Sequence, residues 1–172
     1  KSRRMGRDKT VLKIDERSLV EHIYNLTKGL FSEILIAGNC DSKFALPGTR
    51  EIFDLYPGFG PLSGIHAGLS AAQNQICFVL ACDMPFINRQ IIKAALDLAS
   101  GFEVAIPRIN NHLEVLFGVY KKSCVPAIER MFKNHNYMVC DLYLDVKTRY
   151  LNETDLAGLD FRKAFFNINT PD

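Results

Sequence analysis

Ile76-Cys77-Phe78-Val79-Leu80-Ala81-Cys82-Asp83 is a run of seven apolar residues closed by a carboxylate. A stretch with no polar face is expected of a central parallel strand covered by helices on both sides. Outward from it, the pattern alternates. Upstream, 33–38 and 51–54 read as short strands, separated from the run by a Pro/Gly loop and a helix near 61–72. Downstream, a helix over about 88–99 precedes strands at 103–107 and 112–120, and 123–132 reads as another helix. The segments 139–146 and 165–168 read as further strands. At the front, 18–31 predicts a helix: Ser18 and Glu21 form a capping box, and Leu19, Ile23, Leu26 and Leu30 make one buried stripe. Strands alternating with helices imply an α/β fold, a mostly parallel central sheet with helices on both faces in three α/β/α layers. Ligands of such sheets bind beyond the carboxyl ends of the strands, here just after Ile36, Asp54 and Cys82.

The chain has 172 residues, 48% of them hydrophobic and 23% charged, which fits a single domain over 1–172. A net charge of +2 argues against nucleic acid as a partner. The positive charge is instead local: Lys1, Arg3, Arg4, Arg7, Lys9 and Lys13 stand against Asp8 alone, which suits a small anionic ligand. Five cysteines without metal or disulfide spacing predict free thiols in a reducing cytoplasm. No apolar run reaches the roughly 18 residues that span a bilayer, so no membrane partner is expected.

Three constellations carry chemistry. Asp83 heads Asp83-Met84-Pro85-Phe86, either as a turn aspartate or as a hard-oxygen ligand for Mg²⁺. Asp54 precedes a loop in which Gly58, Gly60, Gly64 and Gly68 let backbone approach a ligand, with Pro61 suited to the first position of a helix. Asn167-Ile168-Asn169-Thr170-Pro171 sets two amides on one face of an extended segment, or simply caps a helix begun by Pro171. The histidines, His22, His66, His112 and His135, lack triad partners and are given no catalytic role.

These blocks resemble one family. Ser2-Arg3-Arg4-Met5-Gly6-Arg7-Asp8-Lys9 is similar to the tail of the LAGGxSxRMGxDK signature of nucleotidyltransferases. Asp54 with Gly58-Phe59-Gly60-Pro61-Leu62-Ser63-Gly64-Ile65, Cys82-Asp83-Met84-Pro85-Phe86 and the Asn167–Pro171 block then resemble the molybdenum cofactor guanylyltransferases, the MobA family, in the same order along the chain. The resemblance implies a Rossmann-like nucleotidyltransferase fold and a reaction that joins GMP from GTP to Mo-molybdopterin, releasing pyrophosphate, with Mg²⁺ as cofactor. By position, Lys9 would hold the triphosphate with Arg4 and Gly6. Asp83 would hold the metal, Asp54 would contribute to GTP binding, and Asn167 and Asn169 would face the molybdopterin acceptor. Partners implied are GTP, molybdopterin, and molybdoenzymes or other proteins of the cofactor pathway. The family pattern also implies a Leu-Ala-Gly-Gly strand before Lys1 and a helix after Pro171. Ala37 stands where relatives often carry asparagine, with Asn39 two positions on, and Glu114-Val115-Leu116 replaces a common Glu-Pro-Leu. Alternatives are a cytidylyltransferase or sugar-phosphate nucleotidyltransferase of the same fold, and a non-catalytic cofactor carrier; loss of activity in Lys9→Ala or Asp83→Ala separates enzyme from carrier.

Overall fold

The structure is a computed structural model and describes residues 13–14, 17–38 and 46–165. Lys13–Ile14 (β1) and Arg17–Ser18 (β2) form a short antiparallel hairpin ahead of the first helix, Leu19–Thr27 (α1). Its capping box is made as expected: the Glu21 N–H donates to Ser18 Oγ at 3.2 Å, and the Ser18 N–H donates to Glu21 Oε2 at 2.8 Å. The helix stops at Thr27, four residues short of the predicted end, because Gly29 takes φ 79° and turns the chain out.

Ile34–Ala37 (β3) and Thr49–Ile52 (β4) pair in parallel, Ile34 with Thr49 through Ala37 with Ile52. Asp54 therefore stands two residues past the last rung of β4. Pro61–Ala71 (α2) follows, with Pro61 in its first turn and Gly60, φ 70°, as N-cap. The deciding run forms Ile76–Leu80 (β5), and Arg89–Leu98 (α3) starts at Asn88, whose side chain accepts from the Gln90 and Ile91 N–H groups. Val104–Ile109 (β6) turns through Asn110 and Asn111, both at positive φ, into His112–Leu113 (β7), and Phe117–Lys121 (β8) follows. A 3₁₀ turn at Lys122–Cys124 leads into Val125–Lys133 (α4), then Val139–Asp145 (α5), Thr148–Leu151 (β9) and Phe161–Ala164 (α6).

Two expectations are corrected. First, β5 is not flanked by a parallel neighbour among the described residues: its partner is β8, which runs antiparallel to both β5 and β6, while β9 pairs with β6 in parallel. The chain returns from β6 to β8 through a tight turn rather than a crossover helix, so the return must be antiparallel. Second, 139–146 is helix, not strand. Val139, Leu142 and Tyr143 are buried while Cys140, Asp141 and Leu144 are exposed, the i, i+3, i+4 spacing of one helical face. The expected strand at 165–168 is not seen at Phe165, which closes α6, and 166–168 lie outside the described residues.

The five-stranded sheet is covered on both faces. Leu62, Ile65 and Leu69 of α2 pack with Ile128 of α4, Leu142 of α5 and Tyr120 of β8 on one side. Ile91 and Ile92 of α3 pack with Phe117, Leu151 and Leu156 on the other. At Gly118 of β8 the two strands come so close that a Cβ would meet the Ala105 carbonyl oxygen at 2.5 Å. Between β3 and β5 lies a cavity of about 950 Å³, lined by both strands and by α1 and α2. Gly64 and Gly68 face open space there, with nothing within 4 Å of where a Cβ would stand.

Candidate active site

The carboxyl ends of β4 and β5 open onto this cavity, and Asp54 and Asp83 both stand on its wall with Gly60, Pro61 and Gly64. Asp54 Oδ1 is buried and has no hydrogen-bond partner among the described residues. A carboxylate oxygen withdrawn from water without a partner is costly, so its place in a native fold needs an explanation, and a bound donor or cation supplies one. The flanking Phe53 and Leu55 are exposed.

The loop after Asp54 is rigidly held. Ser63 Oγ donates to the Tyr56 carbonyl at 2.8 Å, and the Ser63 N–H donates to Gly60 at 3.2 Å. Tyr56 and Phe59 pack against Phe132 and Tyr137, with ring centroids 4.5 Å apart for Tyr56–Phe132 and 4.2 Å for Phe59–Tyr137. His66 belongs to this aromatic group; it is buried, and its Nε2 lies 3.6 Å from Glu129.

Asp83 is fixed from beneath. Met84 and Ile87 are buried under it, and the Ile87 N–H closes a turn onto the Met84 carbonyl at 3.4 Å. His22 Nε2–H donates to the Pro85 carbonyl at 2.8 Å, so α1 clamps the turn that carries Asp83. Arg89 donates to the carbonyls of Leu26 and Lys28, tying the start of α3 to the end of α1. Sequence reading missed His22 in this part; only the fold brings residues 22 and 85 together.

The turn between β7 and β8 carries Glu114. Tyr120, fully buried, donates its O–H to the Val115 carbonyl at 2.7 Å, and the Tyr143 hydroxyl lies 2.7 Å from the Tyr120 hydroxyl. Burial drives the hydroxyls of both tyrosines well above the ordinary range, so they act as neutral struts. Burial also pushes Glu114 up; His112 opposes that push, and the charge of Asp83 adds to it.

Lys9, Arg4, Gly6, Asn167 and Asn169 lie outside the described residues, as does Asn39. Of the expected site, the structure brings together Asp54, Asp83 and the glycine-led start of α2. Ala37 ends β3 on the same cavity wall. Among the described residues no three His, Cys, Asp or Glu side chains converge to hold an ion unaided. An orphaned Asp54 oxygen and a strand-end Asp83 are nevertheless hard donors of the kind that hold a divalent cation jointly with substrate phosphates, so the residues present fit one.

Residues 1–142 match the model of the MobA-like NTP transferase domain. The chain belongs to this family. Within it, the "Probable molybdenum cofactor guanylyltransferase" of Pelotomaculum thermopropionicum is 40% identical over 172 residues, covering 99% of this chain and 84% of that protein. A protein of the same name from Clostridium perfringens is 34% identical, covering all of this chain and 88% of the relative. The crystal structure of molybdopterin-guanine dinucleotide biosynthesis protein A from Archaeoglobus fulgidus superposes with a TM-score of 0.82 at 26% identity, over 99% of this chain and 88% of that one. A cytidylyltransferase from Thermus thermophilus shares the fold, with a TM-score of 0.68 at 17% identity over 95% of this chain and 88% of that one. The MobA-like chain is thus a nucleotidyltransferase with a mixed α/β sheet. Among its described residues no helix is long and apolar enough to cross a membrane.

Proposed function

We propose that this chain transfers GMP from GTP to molybdopterin, forming molybdopterin guanine dinucleotide and pyrophosphate. An oxygen of the acceptor phosphate bonds to the α-phosphorus of GTP as the bond from that phosphorus to its bridging oxygen breaks. The observation that carries the reading is the placement of Asp54 and Asp83 on one cavity wall beside the start of α2, in a chain whose relatives carry this name. Such transfer asks a protein for in-line positioning and charge stabilisation more than for covalent work.

In this reading Lys9, Arg4 and Gly6 cradle the triphosphate, Asp54 accepts a hydrogen bond from the nucleotide through its unsatisfied oxygen, and Asn167 and Asn169 hold the acceptor. Asp83 is the residue that would hold Mg²⁺, which when bound supplies charge neutralisation on the phosphates. The acceptor phosphate is already ionised at neutral pH, so no general base is required. The described cysteines, Cys77, Cys82, Cys124 and Cys140, are free thiols, and burial pushes Cys124 up to about 11, which supports a reducing cytoplasm and a structural role for that thiol.

Initial rates with GTP, CTP, ATP and UTP on the full-length enzyme test this. GTP should be preferred, and a preference for CTP sinks the reading in favour of the cytidylyltransferase. Asp83→Ala should lower turnover by about a hundredfold or more, with thermal stability retained.

The same proposal covers the domain. One further strand between β3 and β5 would complete it, supported by two strand flanks without partners among the described residues.

A further inference from the structure

Asp83 stands on a span of chain anchored at both ends. Upstream, the Ala81 N–H donates to the Leu116 carbonyl at 2.8 Å, which pins the end of β5 to the chain just before β8. Downstream, Met84 is buried, and the Ile87 N–H closes the Met84–Ile87 turn. Pro85, inside that turn, has no N–H to offer, so its carbonyl is the group by which its backbone can be held. That carbonyl accepts from His22 Nε2–H at 2.8 Å, across 63 residues of chain.

Helix α1 divides its contacts between two faces. Val20, Ile23, Tyr24 and Thr27 line the cavity, at the spacing of one helical face. His22 and Leu26, four residues apart, lie on another. Leu26 packs against the core cluster that holds Ile91 and Ile92 of α3, and its carbonyl accepts from Arg89 at 2.8 Å. The helix is thus fastened to the 85–89 segment twice, by Arg89 at the start of α3 and by His22 at the turn. The His22 tie lands two residues after Asp83, on the backbone that aims the carboxylate.

A carboxylate that shares a cation with phosphate oxygens must be aimed as well as present. Groups that orient such a ligand without touching the ion commonly matter by about ten- to a hundredfold in affinity or activity. We propose that His22 is a positioning residue of the transfer reaction: by holding the Pro85 carbonyl, it aims Asp83 at the metal and the nucleotide phosphates. The inference rests on the reading of Asp83 as the residue that holds the metal.

Three variants of the full-length enzyme separate this tie from packing. His22→Phe keeps a ring and loses the donor, His22→Gln places an amide N–H near the position of Nε2, and Arg89→Met cuts the other tie. Mn²⁺ binding in the presence of GTP is followed by electron paramagnetic resonance. It should weaken by about tenfold in His22→Phe, return to within about threefold of wild type in His22→Gln, and change by less than about twofold in Arg89→Met. In turnover assays the Mg²⁺ concentration for half-maximal rate should rise by about the same tenfold in His22→Phe. In the metal-free protein, the Ile87 amide should exchange about threefold faster or more in His22→Phe, and recover in His22→Gln.

Unchanged Mn²⁺ affinity in folded His22→Phe overturns the proposal. So does an equal loss in His22→Gln or Arg89→Met, which would make the effect a general loosening of α1. Thermal midpoints report on folding; where His22→Phe does not fold, His22→Asn, whose amide stops short of the Pro85 carbonyl, is read in its place. Asp83→Ala in the same Mn²⁺ assay tells the two readings apart. If it leaves Mn²⁺ binding intact, the assignment of Asp83 fails; if it weakens Mn²⁺ and His22→Phe does not, the role of His22 alone fails.

Discussion

At the scale of single residues, glycines show how differently one residue type is used. Gly118 is required by contact: a methyl there meets the Ala105 oxygen at 2.5 Å and Ile106 Cγ2 at 2.7 Å, both part of a buried strand. Gly118→Ala should destabilise the chain by about 1–3 kcal/mol in urea unfolding, the usual cost of overpacking. Gly64 sits in a helix with nothing within 4 Å, so Gly64→Ala should leave stability unchanged or raise it by up to about 1 kcal/mol. The Tyr120–Tyr143 pair gives a pH prediction with a definite sign. Both hydroxyls hold their protons more tightly folded than unfolded, so their stabilisation is complete below the ordinary tyrosine range, near pH 10. It is lost as pH rises above that range, because the unfolded chain releases protons first. Urea midpoints measured from pH 8 to 11 should fall on the alkaline side, and less steeply in Tyr143→Phe. Asp54 and Asp83 were legible as candidates because each follows an apolar strand. Asp54's unpaired oxygen was not, since it depends on how the chain turns after β4, which no local pattern encodes.

At the scale of elements, the signals that survived are those written in neighbouring residues. The Ser18–Glu21 box announced α1, and Asn88 with its two accepted N–H groups marks the start of α3. Ser18→Ala should cost about 1 kcal/mol, read as a lowered thermal midpoint and faster amide exchange in the first turn of α1. The signals that failed are those in which period or partner was ambiguous. Over 139–146, eight short-range positions fit alternation as readily as a helical face, and packing with α4 decided for the helix. The apolar run of β5 correctly marked a strand beneath helices, but such a run carries no information on the direction of its neighbour. That direction was set by the tight reversal at Asn110–Asn111, which sends the chain back from β6.

At the scale of the whole molecule, the layers and the site's position at the strand ends follow from the alternation of elements alone. The cavity between β3 and β5 does not, because it arises only when the strands are placed. A polypeptide extended at Lys1 by an apolar strand should gain stability if that strand docks between β3 and β5, and Gly68→Val should abolish the gain while leaving the 172-residue chain nearly untouched. Differential scanning calorimetry of the four proteins separates these outcomes. The cavity has a mechanical meaning as well. Among the described residues, no ladder hydrogen bond joins the β3–β4 pair, which carries Asp54, to the sheet that leads to Asp83. Helix packing joins the two parts, and the Arg50 guanidinium, shared between Glu33 and the Ala71 carbonyl, ties β4 to the end of α2. The span between the two carboxylates is therefore a compliant coordinate, and whatever fills the gap between the strands acts as its spring constant.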